Sequence, residues 1–280
     1  MRSIWEIARL TFLEARMRKM LWAIVLLGIA FLILYAIGFH LIYTDLRGAM
    51  ASNAARLLEP INFFVLAGLY AINFLVVMLA VLISVDTIAG EIASGAIQTI
   101  ATKPLPRWHI IAGKWLGLAL MLAVFTVTMC VALMFIVKLE ADYTVRNPVQ
   151  AIALIVLEGL IVLTLSILGG TRLSTLTNGV VVFMLYGLAF IAGWIEQIGG
   201  MMRSEAAVNI GILVSLLMPS EAMWKRAAYL LQPPFLRELG LDATPFGAAS
   251  APSEAMVVYA FLYTALVFLL AVREFSRRDL

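Results

Sequence analysis

The residues of this chain that could do chemistry are concentrated in one polar stretch, residues 86–117, which lies between two long apolar runs. The stretch reads DTIAGEIASGAIQTIATKPLPRWHIIAGKWLG, and its acids precede its Lys and Arg residues: Asp86, Glu91, Lys103, Arg107 and Lys114. An acid on an exposed helix face next to a basic turn offers charges for docking to a partner. No motif of a hydrolase or a metalloenzyme accompanies these charges.

Helical spacing predicts a short amphipathic helix at the start of this stretch. One side of the helix is formed by Ile88, Ile92, Ala96 and Thr99. Glu91 lies on another face, and because Gly95 follows it by four residues, the acid and a bare backbone position share that face. The prolines of residues 103–107 end the helix, and Pro106 can occupy the first turn of the next one.

Residues 86–117 resemble the signature region of type-2 ABC transporter permeases. The shared features are an acid and a glycine at the spacing of Glu91 and Gly95, a proline–arginine elbow, and a later lysine, here Lys114. The opening Asp86-x-Ile88-x-Gly90-Glu91 is most similar to the subgroup that includes the permease of the nitrous-oxide-reductase maturation exporter.

In this family the segment is the coupling helix, which docks into a groove of a separate ATPase subunit. The resemblance places that helix at residues 86–107. It implies coupling roles for Asp86, Gly90, Glu91, Gly95, Lys103, Pro104, Arg107 and Lys114. The alternative is an ordinary amphipathic helix in a loop between two spans.

Composition restricts the class of protein to helical membrane proteins. Hydrophobic residues make up 63% of the 280 residues and charged residues 13%, whereas soluble domains are about half apolar and a quarter charged. The sequence therefore predicts an all-α, polytopic membrane domain over residues 1–280. Its six expected spans are Leu21–Tyr43, Ile61–Val85, Trp108–Val137, Ala151–Gly170, Gly179–Ile198 and Ala255–Val272.

Residues 1–20 are expected to form an interfacial helix on the bilayer. The charged positions recur near helical spacing, and the opposite side carries Ile4, Ala8, Thr11 and Ala15. In type-2 permeases a similar elbow helix precedes the first span and also touches the ATPase. The alternative is a solvated basic leader.

Residues 199–253 are expected to form a re-entrant or loop segment between the fifth and sixth spans. The apolar run Ala206–Met218 is too short to cross a bilayer. Ser220 is expected to cap a second helix, which Pro233-Pro234 ends. Type-2 permeases carry broken helices here that face outward. A seven-span alternative would make Ala206–Met218 a crossing.

The distribution of basic residues predicts that both chain ends lie in the cytoplasm. Twelve of the twenty Lys and Arg residues fall on the proposed inner segments: Arg2, Arg9, Arg16, Arg18, Lys19, Lys103, Arg107, Lys114, Arg172, Arg273, Arg277 and Arg278. Cytoplasmic loops carry such an excess. We therefore expect a multi-pass protein of the cell (plasma or inner) membrane that contacts lipid. The net charge of +3 is no sign of nucleic-acid binding.

The functional hypothesis is the permease subunit of an ATP-driven exporter. The sequence has no Gly-x-x-x-x-Gly-Lys-Ser/Thr loop, so ATP would be bound and hydrolysed by a separate subunit, and we expect no cofactor, metal or catalysis on this chain. A homodimer of permeases with two ATPase copies is the simplest assembly. The alternatives are an ion-gradient-driven secondary transporter or channel, and a membrane anchor or assembly subunit.

Glu158 is the one carboxylate expected deep in a span, and it is the candidate for the transport pathway. An acid at the bilayer centre costs about 2.5–3.5 kcal/mol on insertion scales. We therefore expect Glu158 to face the bundle interior or the dimer pathway. The two alternatives are a neutral carboxyl hydrogen-bonded between helices and a polar contact to cargo or water.

Overall fold

The computed structural model describes residues 2–49, 57–95, 106–202, 204–234, 246 and 252–278. Within these ranges the regular structure is entirely helical. The helices are α1 (Arg2–Met17), α2 (Lys19–Ala49), α3 (Leu58–Ala93), α4 (Arg107–Ala141), α5 (Pro148–Gly170), α6 (Thr175–Met201), α7 (Glu205–Leu217), α8 (Ser220–Leu231) and α9 (Glu254–Arg277).

Six of these helices, α2 to α6 and α9, are long and apolar enough to cross a membrane. This confirms the predicted all-helical fold with six spans, and the observed helices extend beyond the predicted bounds. Within the most apolar 18-residue stretch of each helix, 67% of the residues of α3 and 72% of those of α5 are buried inside the chain. The same share is 17% in α2 and 22% in α9. The pair α3 and α5 therefore forms the centre of the bundle, and α2 and α9 lie at its periphery.

The second span does not stop where the sequence suggested. The predicted Ile61–Val85 span and the start of the predicted coupling helix form one continuous helix, α3, which runs to Ala93. Between Val85 and Gly95 there is no proline or left-handed residue, so helical hydrogen bonding continues past the end of the apolar run. Ala96 and Thr99, which were expected on the same helix, lie outside the described residues.

The N-terminal helix α1 packs closely on α4. A Cβ atom added to Gly117 would lie 2.5 Å from the carbonyl oxygen of Ala8, and one added to Gly113 would lie 2.6 Å from Cβ of Ile7. Gly113 and Gly117 are four residues apart and let α1 approach the backbone of α4 closely, as in small-xxx-small helix contacts. We call this pair of residues the glycine seat. The predicted helix is present, but part of the side that carries Ala8 and Thr11 is buried against α4 instead of lying on the bilayer.

Contacts between sequence-distant residues define the two ends of the bundle. Arg18, after α1, contacts Asp86 near the end of α3, and Arg107 at the start of α4 contacts the end of α9. We call this the N-terminal end. At the opposite end, Nδ1 of His40 in α2 lies 2.8 Å from Oε2 of Glu140 in α4.

The segment between α6 and α9 enters and leaves on the same side. The helix α6 begins at the N-terminal end, where Thr175 contacts Asp86, and α9 finishes there. The intervening α7 and α8 therefore start and return at the opposite end, with a bend of 113° between them. This geometry corresponds to the predicted re-entrant segment rather than to a seventh span.

One detail of the re-entrant segment differs from the prediction. The residue that precedes α8 is Pro219, and Ser220 is already inside the first turn, so Ser220 does not act as the cap. Its side chain is fully buried, and the hydroxyl oxygen has no hydrogen-bond partner among the described residues. The predicted end of this helix is confirmed, because α8 stops at Leu231 before the two prolines.

The glycine seat gives a stability prediction. Gly117→Ala should weaken the α1–α4 contact because the added methyl group meets backbone, and such overpacking costs about 1–3 kcal/mol. Gly187→Ala in α6 is the matched control, since its Cβ would meet nothing within 4 Å. The measurement is thermal unfolding of the purified variants in detergent. Equal stability of the two variants would show that α1 is not seated on Gly117.

Candidate functional site

Asp86 is the point at which three segments of the N-terminal end meet. Arg18 donates to one of its carboxylate oxygens at 3.3 Å, and Thr175 at the start of α6 donates to the other at 3.1 Å. The carboxylate folds over Gly90, one turn later, where a Cβ atom would lie 2.1 Å from it. Gly90 therefore provides the space that Asp86 needs to hold the elbow before α2 and the start of α6.

The sequence predicted Glu91 on an exposed helix face, but the structure buries most of its side chain. It forms an ion pair with Lys114 of α4, and the two side chains are only 14% and 4% exposed. Because α3 stays helical beyond its apolar run, the face that carries Glu91 turns toward α4 rather than toward solvent. Losing one partner of such a buried pair typically costs 3–5 kcal/mol.

Gly95 does not lie on a helix face, as had been predicted, but just beyond the end of α3. Its φ of +72° places it in the left-handed region just after α3, and its N–H donates to the carbonyl of Ile92. A glycine in this conformation is a common helix terminator. Gly95 therefore ends the helix and does not share a helix face with Glu91.

Arg107 contacts and stabilises the end of α9. Its guanidinium donates to the carbonyl of Ser276 at 3.2 Å and to that of Arg278 at 2.6 Å. The last carbonyls of a helix have no partner within it, so a side-chain donor stabilises them. Pro106, expected in the first turn of α4, is the residue that precedes the helix.

The turn between α5 and α6, together with the end of α9, completes the network at this end. Arg278 donates to the carbonyl of Thr171, and Arg172 forms an ion pair with Glu274. The structure thus brings Asp86, Gly90, Glu91, Arg107 and Lys114 to the N-terminal end. Lys103 and Pro104 lie outside the described residues.

Sequence reasoning missed several partners of these residues. Arg18 and Thr175 were not linked to Asp86, and Glu274 was not linked to Arg172. No local pattern joins residues this far apart. In contrast, the four-residue spacing of Gly113 and Gly117 was visible in the sequence and could have indicated a helix seat.

Glu158 faces the bundle interior, as expected from its position. It is fully buried in α5, and one of its carboxylate oxygens accepts a hydrogen bond of 3.0 Å from the side-chain amide of Asn73 in α3. Thr164 of the same helix does not bond to Glu158 but accepts a hydrogen bond from the indole N–H of Trp115. This geometry agrees with a carboxyl group bonded between two helices.

The helical bundle, with its apolar lipid-exposed surface and re-entrant segment, defines a multi-pass membrane protein. A family model described as ABC-2 family transporter protein matches residues 5–280. The chain therefore belongs to the ABC-2 transporter family.

A relative with a printed function is the probable ABC transporter permease protein NosY of Stutzerimonas stutzeri. It is 33% identical to this chain over 129 residues, which cover 44% of this chain and 41% of NosY. The match thus spans about two-fifths of the length of that relative. It agrees with the subgroup resemblance seen in residues 86–117.

The buried pair of α3 and α4 gives a charge-swap prediction. Glu91→Lys alone and Lys114→Glu alone each place two like charges in a buried contact and should lower stability by several kcal/mol, about 3–5. The double variant restores opposite charges and should recover much of the loss. The measurement is thermal unfolding of the purified variants, with Asp45→Lys as the control at an exposed acid. A double variant no more stable than the singles would contradict the pairing.

Proposed function

We propose that this chain is the membrane subunit of an ATP-driven exporter. In this proposal the N-terminal end lies in the cytoplasm of a cell whose plasma or inner membrane holds the protein. Two copies of the chain form the transport pathway between them, and each copy engages one separate ATPase subunit. The chain itself performs no catalysis.

The observation that carries the proposal is the organisation of the N-terminal end in a member of the ABC-2 family. The helix α3 ends and α4 begins at this end, where α4 packs against α1. Ion pairs and hydrogen bonds from Asp86, Glu91 and Arg107 join these helix ends to the elbow before α2 and to α6 and α9. A force applied by an ATPase at the ends of α3 and α4 would therefore reach the other spans through side-chain contacts.

In this proposal another chain binds and hydrolyses ATP. The full sequence has no phosphate-binding loop of the Gly-x-x-x-x-Gly-Lys-Ser/Thr type. The relative NosY carries the printed name of an ABC transporter permease. Both facts support a division of labour between a permease and an ATPase.

The cytoplasmic placement of the N-terminal end is supported by its charge. The described part of that end carries Arg9, Arg16, Arg18, Lys19, Arg107, Lys114, Arg172, Arg273, Arg277 and Arg278. Short loops and helix ends on the cytoplasmic side are enriched in Lys and Arg. Export is the direction implied by the type-2 resemblance of residues 86–117.

A pathway between two copies is supported by the packing inside one copy. The centre of the bundle is filled by large buried side chains, among them Leu66, Leu69, Ile72 and Leu118. Glu158 and Asn73 are buried within that packing and bonded to each other. Because the centre of one copy is filled, a pathway for cargo would lie on a surface that a second copy completes.

The proposal is tested by photo-cross-linking from the α3–α4 connection. A photoreactive amino acid replaces Ser94, which is exposed just after α3, and a second variant carries it at Glu140 near the opposite end. We expect the photoreactive residue at position 94 to cross-link to a polypeptide with a phosphate-binding loop. The yield of this cross-link should change when ATP is added. We expect no such product from Glu140. Absence of an ATPase adduct at Ser94, or equal adducts at both positions, would contradict the proposal.

A further inference from the structure

A polar cavity of about 410 Å³ lies at the N-terminal end of the bundle, between the α5–α6 turn and the last turn of α9. The residues that line it are Thr171, Arg172, Glu274, Arg277 and Arg278. Three arginines and one glutamate give this wall a net charge of +2, so the cavity attracts anions. Arg277 has no part in the contacts that hold this end together.

The donors of two of these arginines are open to a ligand. Arg277 is exposed and forms no hydrogen bond or ion pair with any residue that the structure describes. Arg172 bonds to Glu274 through two of its nitrogens, but its side chain is still 74% exposed. Because a guanidinium group has five N–H donors, Arg172 keeps some of them for a ligand.

The other contacts of the wall hold the cavity in shape. The guanidinium of Arg278 donates to the backbone carbonyl of Thr171, which ties the end of α9 to the α5–α6 turn. The ion pair of Arg172 with Glu274 joins the same two segments. It also neutralises the one acid of the wall, so the charges of Arg277 and Arg278 are not offset within the cavity. The next acid along the chain, at position 279, lies outside the described residues.

The cavity lies where the lipid-facing surface of the bundle ends. On α9 the exposed side chain of Leu269 is followed at helical spacing by Arg273 and Arg277, which are exposed on the same face. On the other side of the cavity, Arg172 precedes the exposed Leu176 by four residues. Exposed leucines of a spanning helix contact acyl chains, and arginines next to them reach the headgroup level. Both sides of the cavity are therefore at the depth of lipid headgroups.

We propose that this cavity binds the phosphate group of an anionic phospholipid, with the guanidinium groups of Arg172 and Arg277 as donors. Bonds between arginine and phosphate are charge-assisted, and the planar guanidinium can donate two of them in parallel. Basic pockets between spanning helices bind anionic headgroups in other membrane proteins. The acyl chains would lie along the exposed apolar face of α9, on Leu266 and Leu269. The site lies within one chain, so this proposal does not rest on the proposed transport function.

Other ligands use the cavity less completely. Free phosphate would bond to the same arginines but would leave the apolar face beside them unused. A zwitterionic lipid brings a positive ammonium group, which the net positive wall repels, and metal cations are repelled in the same way. An acidic segment of a partner protein would meet the same charges. The continuity of Arg277 with the lipid-facing leucines of α9 favours a lipid.

The first experiment uses the purified full chain in detergent. It is titrated with phosphatidylglycerol, whose headgroup is net negative, and with phosphatidylcholine of the same acyl chains. A ligand that binds only the folded state raises the unfolding midpoint in a saturable way. We expect such a rise with phosphatidylglycerol and a much smaller one with phosphatidylcholine. Glycerol 3-phosphate at equal concentration and ionic strength should give none, which distinguishes a lipid headgroup from a free phosphate.

The second experiment measures lipid affinity of matched variants by native mass spectrometry. Arg277→Gln should weaken phosphatidylglycerol binding at least about tenfold, because hydrogen bonds to a charged group are lost. Arg47→Gln is the control, since Arg47 is also exposed and also lies in the last turn of a spanning helix, but at the opposite end. Arg277→Lys keeps the charge without the planar fork, so its affinity should fall between those of Arg277→Gln and the unaltered chain.

The proposal is overturned by an equal rise with the two lipids, or by a rise of equal size with glycerol 3-phosphate. It also fails if Arg277→Gln binds phosphatidylglycerol as tightly as the unaltered chain, or if Arg47→Gln weakens binding by the same factor. No response to either lipid would contradict it too, and is the result expected if the arginines serve a protein partner instead. Because Arg277 has no bond within the described residues, its variants should keep the fold.

Discussion

The ion pair of Glu91 and Lys114 is the contact on which the N-terminal end depends. It lies between two helices that are otherwise apolar, and both side chains are removed from solvent. Charges buried in this way must be paired, because the cost of an isolated one exceeds that of most packing errors. The pair therefore restricts how α3 and α4 can rotate or slide against each other. With that register set, Asp86 faces Arg18, and Arg107 faces the last carbonyls of α9.

The same constraint explains why the end of α3 is not a free amphipathic helix. A bilayer offers no water to satisfy polar groups, so charged residues near it are bonded inside the protein. Asp86, Glu91 and Arg107 all follow this rule by contacting residues of other helices. In the proposed function, the parts left for an ATPase to contact include the exposed side of α1, next to the ends of α3 and α4. The paired charges at those helix ends would give the contact a firm base.

The sequence was sufficient for the class of fold because span length and apolar content are local properties. All six spans and the re-entrant segment could be predicted from them, and the family resemblance from residues 86–117 agrees with the family match. The burial of Glu91 could not be predicted in this way. It depends on the rotation of α3 relative to α4, which no spacing within one helix reveals.

The pairing of Glu196 with Lys225 was missed for a related reason. The two residues lie on different helices, and the bend between α7 and α8 brings them together. The unpaired oxygen of Glu221 is visible only when all its neighbours are in place. The interior position of Glu158 was predictable from its depth in a span, whereas its partner Asn73 on α3 was not.

The central claim of the proposed function is that the N-terminal end would move as one body when a separate ATPase subunit acts on it. The most direct test is a spin-label distance measurement in the proposed complex of this chain with an ATPase, with and without bound ATP. Labels replace Arg9 of α1 and Leu176 of α6, which are both exposed. Doubly labelled chains are diluted with unlabelled ones for the distance within one chain, and chains labelled at Leu176 alone are used undiluted for the distance between copies. The account predicts that the distance within one chain stays constant, while the distance between Leu176 labels of two copies changes. A change within the chain as large as that between copies would contradict it.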